Sequence, residues 1–222
     1  MEKIKLKNLS FEELRNNFLD EKYNDFCQHN AAMNELHDKL PSVEDLIPLL
    51  VSDIRDCQYT ASYIAALEGE AASPIFPYLL KLLDSPWEDV RDEVCDCFLS
   101  CTSDAKHYAL LFNHLDDIAK SIRLHIITII FGLKKDVLES IYSYLKKNSN
   151  DDSLIQGLLI LCKQLSNEER EGFITKGTRK EKIFSYIATY INYGNGSKLR
   201  EAVQLSKEND IVSHFEIYFC DK

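Results

Sequence analysis

Asp89, Asp92, Glu93 and Asp96 share one helical face, with Glu88 beside them. Their i, i+3, i+4, i+7 spacing sets them opposite a stripe of Val90, Val94, Cys97 and Cys101. Carboxylates grouped this way can attract a cation. The helix dipole accounts for acids in a first turn, hence for Glu88 and Asp89, but not for Asp96 further in. Like charges at these spacings repel by about 0.2–0.5 kcal/mol per pair. The strip is therefore either a solvated face or a face on which a cationic partner docks.

Other chemistry-bearing residues do not assemble into a motif. The six histidines (29, 37, 107, 114, 125 and 214) pair with no nucleophile in a recognisable pattern. There is no Gly-rich phosphate loop, no Gly-x-Ser-x-Gly and no His-Glu-x-x-His. The seven cysteines (27, 57, 95, 97, 101, 162 and 220) include no Cys-x-x-Cys. Cys97 and Cys101 share a face, but it is the apolar one, so they read as small core hydrophobes of a reducing cytosol. No catalytic residue, cofactor site or metal site is expected. Trp87, the single tryptophan, falls in a turn between helices.

The charge is segregated. Of a net −10 over 222 residues, the 42–104 stretch holds 13 acids against 3 bases, while the flanking stretches nearly cancel. Such a block repels nucleic-acid phosphates and steers a basic partner inward. No apolar run reaches the ~18 residues of a membrane span, and the first residues carry no apolar signal core, so a cytoplasmic protein without membrane contact is expected.

Seven glycines and five prolines predict helices joined by short connections. Ser10–Glu13 forms a capping box before Phe11, Leu14 and Phe18, and residues 1–41 are expected to make an N-terminal helical cap. A first helix pair follows from Ser42, its second helix carrying Tyr59, Tyr63, Ala66 and Leu67 and ending near Gly69. The second pair spans Pro77–Cys101. Ser85 as cap, Pro86 at the first helical position and Glu88 closing a capping box predict the start of its second helix.

From there the chain repeats. Val90, Ile122 and Leu154 stand 32 residues apart, as do Val94, Ile126 and Leu158; Cys97, Ile129 and Leu161; Phe98, Ile130 and Cys162; and Cys101, Leu133 and Leu165. Arg91 and Arg123 match too. A helix pair cannot bury its apolar faces alone and needs stacked neighbours of its own kind. Beyond Leu165 the register slips. Ser166–Glu169 caps a short helix ending at Gly177, Ile183, Ile187 and Ile191 continue the stripe, Asn192–Gly196 is a turn, and a last pair covers 199–207 and 211–219, its end legible as helix or strand.

The Pro77–Val94 stretch resembles the HEAT signature: a proline, paired leucines, an Asp at the turn, then Val-Arg in the second helix. Ile122-Arg123 echoes it, whereas Val94, Ile126 and Leu158 stand where that family has a small residue, and the first, fifth and sixth pairs match by periodicity only. The resemblance implies an all-α, HEAT-like α-α solenoid of about five to six helix pairs, with four pairs over 42–165 and divergent C-terminal pairs over 166–222 in the same domain. It also implies that second helices line a concave binding surface. In the third pair, Leu124, Ile127 and Phe131 make the second helix apolar nearly all round, which means either enclosure by neighbours or a contact surface beside the acidic strip.

A non-enzymatic protein-binding module is therefore expected, its partner-binding residues being Glu88, Asp89, Asp92, Glu93, Asp96, Leu124, Ile127 and Phe131. Compact acidic HEAT-like proteins resemble bacterial immunity proteins, which implies a basic toxin domain, such as a nuclease, as partner. The alternatives are a HEAT-like DNA glycosylase, for which only Lys176, Arg179, Lys180 and Lys182 supply basic charge, and a general assembly scaffold.

Overall fold

Four turns of the chain are built alike. Ser52, Ser85, Asp117 and Ser149 each use a side-chain oxygen to accept the backbone N–H two residues on, from Ile54 (3.1 Å), Trp87 (3.5 Å), Ala119 (2.7 Å) and Asp151 (3.0 Å). An α-helix starts three residues after each, at Arg55, Glu88, Lys120 and Asp152. In three of the four, a long polar side chain six residues on returns to the turn carbonyl. Gln58 Nε2 donates to Ser52 O at 2.7 Å, Arg91 Nη1 to Ser85 O at 2.8 Å and Arg123 Nη1 to Asp117 O at 2.6 Å. The bond satisfies a carbonyl that no helix ladder reaches. In the fourth copy that position is Ile155, which has nothing to donate. The first pair thus belongs to the series through its turn, at a step of 33 residues, with Gln58 in the place of the arginine.

These features come from a computed structural model that describes residues 6–23, 25–163 and 165–193. The described residues form helices and no strand, and among them no helix is long and apolar enough to cross a membrane. The chain divides into two compact units, Met1–Thr102 and Ser103–Lys222, whose boundary falls inside the 42–165 block. The expected pair at 199–219 lies outside the described residues.

The N-terminal unit contains α1 (Phe11–Leu19), α2 (Phe26–Asp38), α3 (Ile47–Leu50), α4 (Arg55–Glu68), α5 (Phe76–Leu79) and α6 (Glu88–Ser100). The Ser10 capping box on α1 is formed. Short 3-10 segments flank α3 and α5, at Val43–Leu46, Gly69–Ile75 and Leu80–Asp84. Gly69 ends α4 at φ +59°, a conformation that favours glycine. α4 packs along α6, and α2 and α3 pack against α4. Leu14, Leu36, Leu49, Ile64, Phe76, Val94 and Phe98 are buried in its core, with the Phe76 and Phe98 rings edge to face at 5.1 Å.

Two local expectations change. Ser85 and Glu88 do not form a capping box: α6 begins at Glu88 with Trp87 as N-cap and no side-chain cap. Ser85 is buried, and its hydroxyl donates to Gln58 Oε1 at 3.0 Å instead. On α4 the buried face is Cys57, Ala61, Ile64 and Ala65, not the stripe of Tyr59, Tyr63, Ala66 and Leu67, whose Leu67 is 53 % exposed. Small side chains line α4 where α6 approaches, and they leave no room for the rings.

The C-terminal unit contains α7 (Ala105–Phe112), α8 (Lys120–Gly132), α9 (Lys135–Asn148), α10 (Asp152–Cys162), α11 (Asn167–Lys176) and α12 (Arg179–Tyr193). α7 packs on α9, α9 on α10, and α10 and α11 on α12. The Ser166–Glu169 capping box is formed on α11, with Gly177 as its C-cap. α12 runs through Tyr193, so the turn expected at Asn192 does not begin there, and Ile191 is exposed rather than part of the buried stripe with Ile183 and Ile187. Val90, Val94, Ile122, Ile126, Leu154 and Leu158, the first two columns of the repeat, are all buried. Full burial of such side chains contributes about 1.5–3 kcal/mol each.

Gly157 of α10 sits where Phe184 of α12 closes on it, and a Cβ there would run into the ring. Glycine inside a helix is ordinarily unfavourable by about 0.5–1 kcal/mol relative to alanine, so the close approach explains it. Gly157→Ala is expected to destabilise the protein by roughly 1–3 kcal/mol through overpacking. Chemical denaturation measures this, and a stabilised variant would mean that α12 does not pack there.

Candidate functional site

α4 and α6 lie side by side, and polar groups meet along their length. At the N-terminal end, Arg55 forks onto Asp89: Nε donates to Oδ1 at 3.2 Å and Nη2 to Oδ2. One turn on, burial first, and then the Glu93 carboxylate that accepts its hydrogen bond, hold the Tyr59 phenol above its ordinary range. Further along, small groups replace large ones. Cys97 Sγ donates to Ser62 O at 3.5 Å, Ser100 Oγ to Ala66 O at 3.3 Å and Cys101 Sγ to Ala65 O at 3.4 Å.

Asp89, Asp92 and Glu93 are half-buried, and Glu88 and Asp96 are exposed. Asp89 also faces a cavity of about 660 Å³ in this unit. Phe26, His29 and Met33 of α2 form one wall, and Arg55, Asp56, Tyr59 and Tyr63 of α4 form the other. The Tyr59 and Tyr63 rings are nearly parallel, 19° apart with centroids separated by 6.4 Å. Phe26 stands at the N-terminus of α2, 78 % exposed. Asp25 lines the cavity while one of its oxygens caps α2 through the Gln28 N–H at 3.1 Å.

His29 forms part of the base of this cavity. Its Nε2 lies 3.2 Å from the buried Thr60 hydroxyl, and its Nδ1 lies 3.7 Å from Asp56 Oδ2. Burial holds the imidazole below its ordinary pKa of 6.5, against the pull of Asp56 and with the help of Arg55. It is therefore neutral at neutral pH and does not offset the carboxylates around it.

A second, small cavity of about 30 Å³ adjoins this wall, lined by Phe18, Glu21, Tyr23, His29 and Asp56. Glu21 has φ +53°, a conformation that favours glycine. It follows α1 in a Schellman arrangement, with the Glu21 N–H on Phe18 O at 3.0 Å and the Lys22 N–H on Asn17 O at 2.9 Å. A non-glycine residue held there costs about 1–2 kcal/mol. The strain sits beside the cavity that carries the acids.

The expected apolar residues belong to the C-terminal unit. Ile127 is 1 % exposed and is a packing residue, so it presents no surface. Leu124 and Phe131 are half-buried, and Phe131 meets Tyr190 edge to face at 5.6 Å. Ile160 of α10 is buried too. This unit has its own cavity of about 630 Å³, lined by Leu159 and Phe173 together with Lys163, Lys176, Glu169 and Glu181, whose charges cancel.

Among the described residues no three His, Cys, Asp or Glu side chains come together as metal ligands. Burial pushes the Cys57 thiol up to about 11. In the buried Cys97–Cys101 pair, the interaction with Cys101 and burial hold the Cys97 thiol well above its ordinary range, and the interaction with Cys97 draws Cys101 down to about 7. Both side chains lie in the α4–α6 seam, closed to solvent.

No family model, no curated protein and no solved structure matches the chain.

Tyr59, Tyr63, His29 and Asp56 are the site residues that sequence reasoning passed over. Arg55, Tyr59 and Tyr63 recur at i, i+4 and i+8, a signal that they share one face. The competing small-residue stripe on α4 was the signal that this face looks outward.

Since unfolded His29 binds a proton that the folded imidazole refuses, stability falls as pH drops through the ordinary histidine range. His107, lowered by burial in the other unit, adds in the same direction. Denaturation midpoints measured at about pH 7.5 and about pH 5.5 should differ, and less so in His29→Gln. Equal pH dependence in both chains would mean that His29 is not held neutral.

Proposed function

We propose that this chain is a non-enzymatic protein-binding module that captures a basic protein on the N-terminal unit. One observation carries the reading. The acids of α6 are continuous, through Asp89, with a cavity that holds Asp25 and Asp56 and whose histidine is neutral. A face of one sign beside a concave surface raises the encounter rate with a partner of the other sign and disfavours wrong partners. The same face would repel a phosphate backbone, which tells against the glycosylase alternative.

The recurring turns at Ser52, Ser85, Asp117 and Ser149 support a HEAT-like repeat as the source of this surface. Within that resemblance, the partner is a basic toxin domain such as a nuclease, and the chain is its cytoplasmic immunity protein. Neutralisation then needs no chemistry: covering the basic surface that the toxin uses for nucleic acid is enough. Buried thiols at Cys57, Cys97 and Cys101, none of them in a disulfide, suit a reducing compartment.

The test is to identify any basic domain encoded beside this chain and to compare its association with the natural chain and with the triple variant Asp92→Lys, Glu93→Lys, Asp96→Lys. The variant should bind roughly tenfold to a hundredfold more weakly, with a shallower dependence on salt. Unchanged binding would refute the placement of the face. Preference for duplex DNA, or a neighbouring gene that encodes no basic domain, would refute the immunity reading.

A further inference from the structure

The cavity between α2 and α4 holds more than charge steering requires. Three carboxylates line it (Asp25, Asp56 and Asp89) against one guanidinium, Arg55, and a neutral imidazole. Glu21, held in its strained conformation, adds a fourth carboxylate residue at the adjoining small cavity. Next to these acids, Tyr59 and Tyr63 present nearly parallel rings along one side of α4. Acids beside a flat aromatic shelf suit a planar cation, because a guanidinium can stack on a ring face while its edge forks onto a carboxylate.

The chain already shows that the cavity accepts such a group. The Arg55 guanidinium bridges two of its acids, Asp89 through Nε and Nη2 and Asp56 through Nη1 at 3.2 Å. It does so from the rim, with about half of its side chain exposed. An ammonium could use the acids, but it would gain less from the shelf, being a compact and strongly hydrated charge.

We propose that this cavity is the anchoring pocket for one arginine side chain of the basic partner. The guanidinium lies against Tyr59 and Tyr63 and pairs with Asp56, and the aliphatic stem passes the exposed Phe26. The inference rests on the reading that the partner is a basic protein. It adds a residue type and a seat: the α6 acids steer, and the cavity selects arginine over lysine. Arg55 is then an internal competitor that occupies Asp89 and Asp56 until the partner arrives.

The experiment uses the full chain with fluorescent, end-blocked octa-arginine and octa-lysine peptides, read by anisotropy at low and moderate salt. Octa-arginine should bind more tightly than octa-lysine. Tyr59→Leu and Asp56→Asn should each weaken octa-arginine by roughly fivefold and remove most of the preference, while leaving octa-lysine less affected. Arg55→Ala, which frees the acids, should tighten octa-arginine by roughly twofold to threefold. Asp92→Asn with Asp96→Asn should weaken both peptides alike and keep the preference. Asp56→Asn is a near-isosteric change at a half-exposed site, so it decides the matter if Tyr59→Leu perturbs folding. Pocket variants that retain full affinity and preference would overturn the arginine pocket while the steering face stands, provided the strip variant still weakens binding. Failure of both peptides to bind the natural chain would overturn the pocket and the steering face together.

Discussion

The close seam between α4 and α6 is the constraint on which the N-terminal unit depends. Cys57, Ala61 and Ala65 on one helix, and Val94, Cys97 and Cys101 on the other, are small enough for side chains of α6 to reach backbone carbonyls of α4. Two thiols and the Ser100 hydroxyl make those contacts. A seam this tight leaves no space for rings, so Tyr59 and Tyr63 turn outward. It also sets Arg55 against Asp89 and Tyr59 against Glu93, which joins the outer face of α4 to the acidic face of α6. The shelf, the strip and the cavity are three consequences of one packing arrangement.

The charges lining the cavity are unbalanced: three carboxylates, Asp25, Asp56 and Asp89, face the Arg55 guanidinium among the described residues. A single guanidinium screens the acids nearest the cavity, and the histidine that could have screened them is neutral because it is buried against Thr60. Repulsion among the α6 acids and the left-handed backbone at Glu21 each oppose folding modestly. Both features fall on one side of one unit. Groups that oppose folding and gather around a cavity are what a binding surface retains, because a partner of opposite charge relieves them when it docks.

Much of the fold was legible in the sequence. Two of the five 32-residue columns named buried positions throughout, since Val90, Val94, Ile122, Ile126, Leu154 and Leu158 all lie in the core, whereas Leu133, Leu161, Cys162 and Leu165 of the other columns are half-buried. The Ser10 and Ser166 capping boxes formed, because in each the serine and the glutamate three residues on face solvent and are free to bond one another. Ser85 and Glu88 have the same spacing, but burial drew the serine toward Gln58. The turn bond shared by Gln58, Arg91 and Arg123 was half visible as Arg91 and Arg123. Gln58 escaped notice because a neutral amide does the work of a guanidinium there. On the site, the acids of α6 were legible as a strip, whereas the cavity was not. It depends on which of two stripes α4 buries, and aromatic residues at helical spacing ordinarily signal a core. Ile127 illustrates the converse, since an apolar helix surface became enclosed rather than offered.

The most direct test of the central claim, that a basic protein docks on the joined α4–α6 face, is a map of backbone amide shifts as octa-arginine peptide is titrated into the full chain. Shifts should concentrate on residues 25–34 of α2 and its cap, 55–63 of α4 and 88–96 of α6. Shifts spread over acids throughout the chain, or centred on the C-terminal unit, would contradict it.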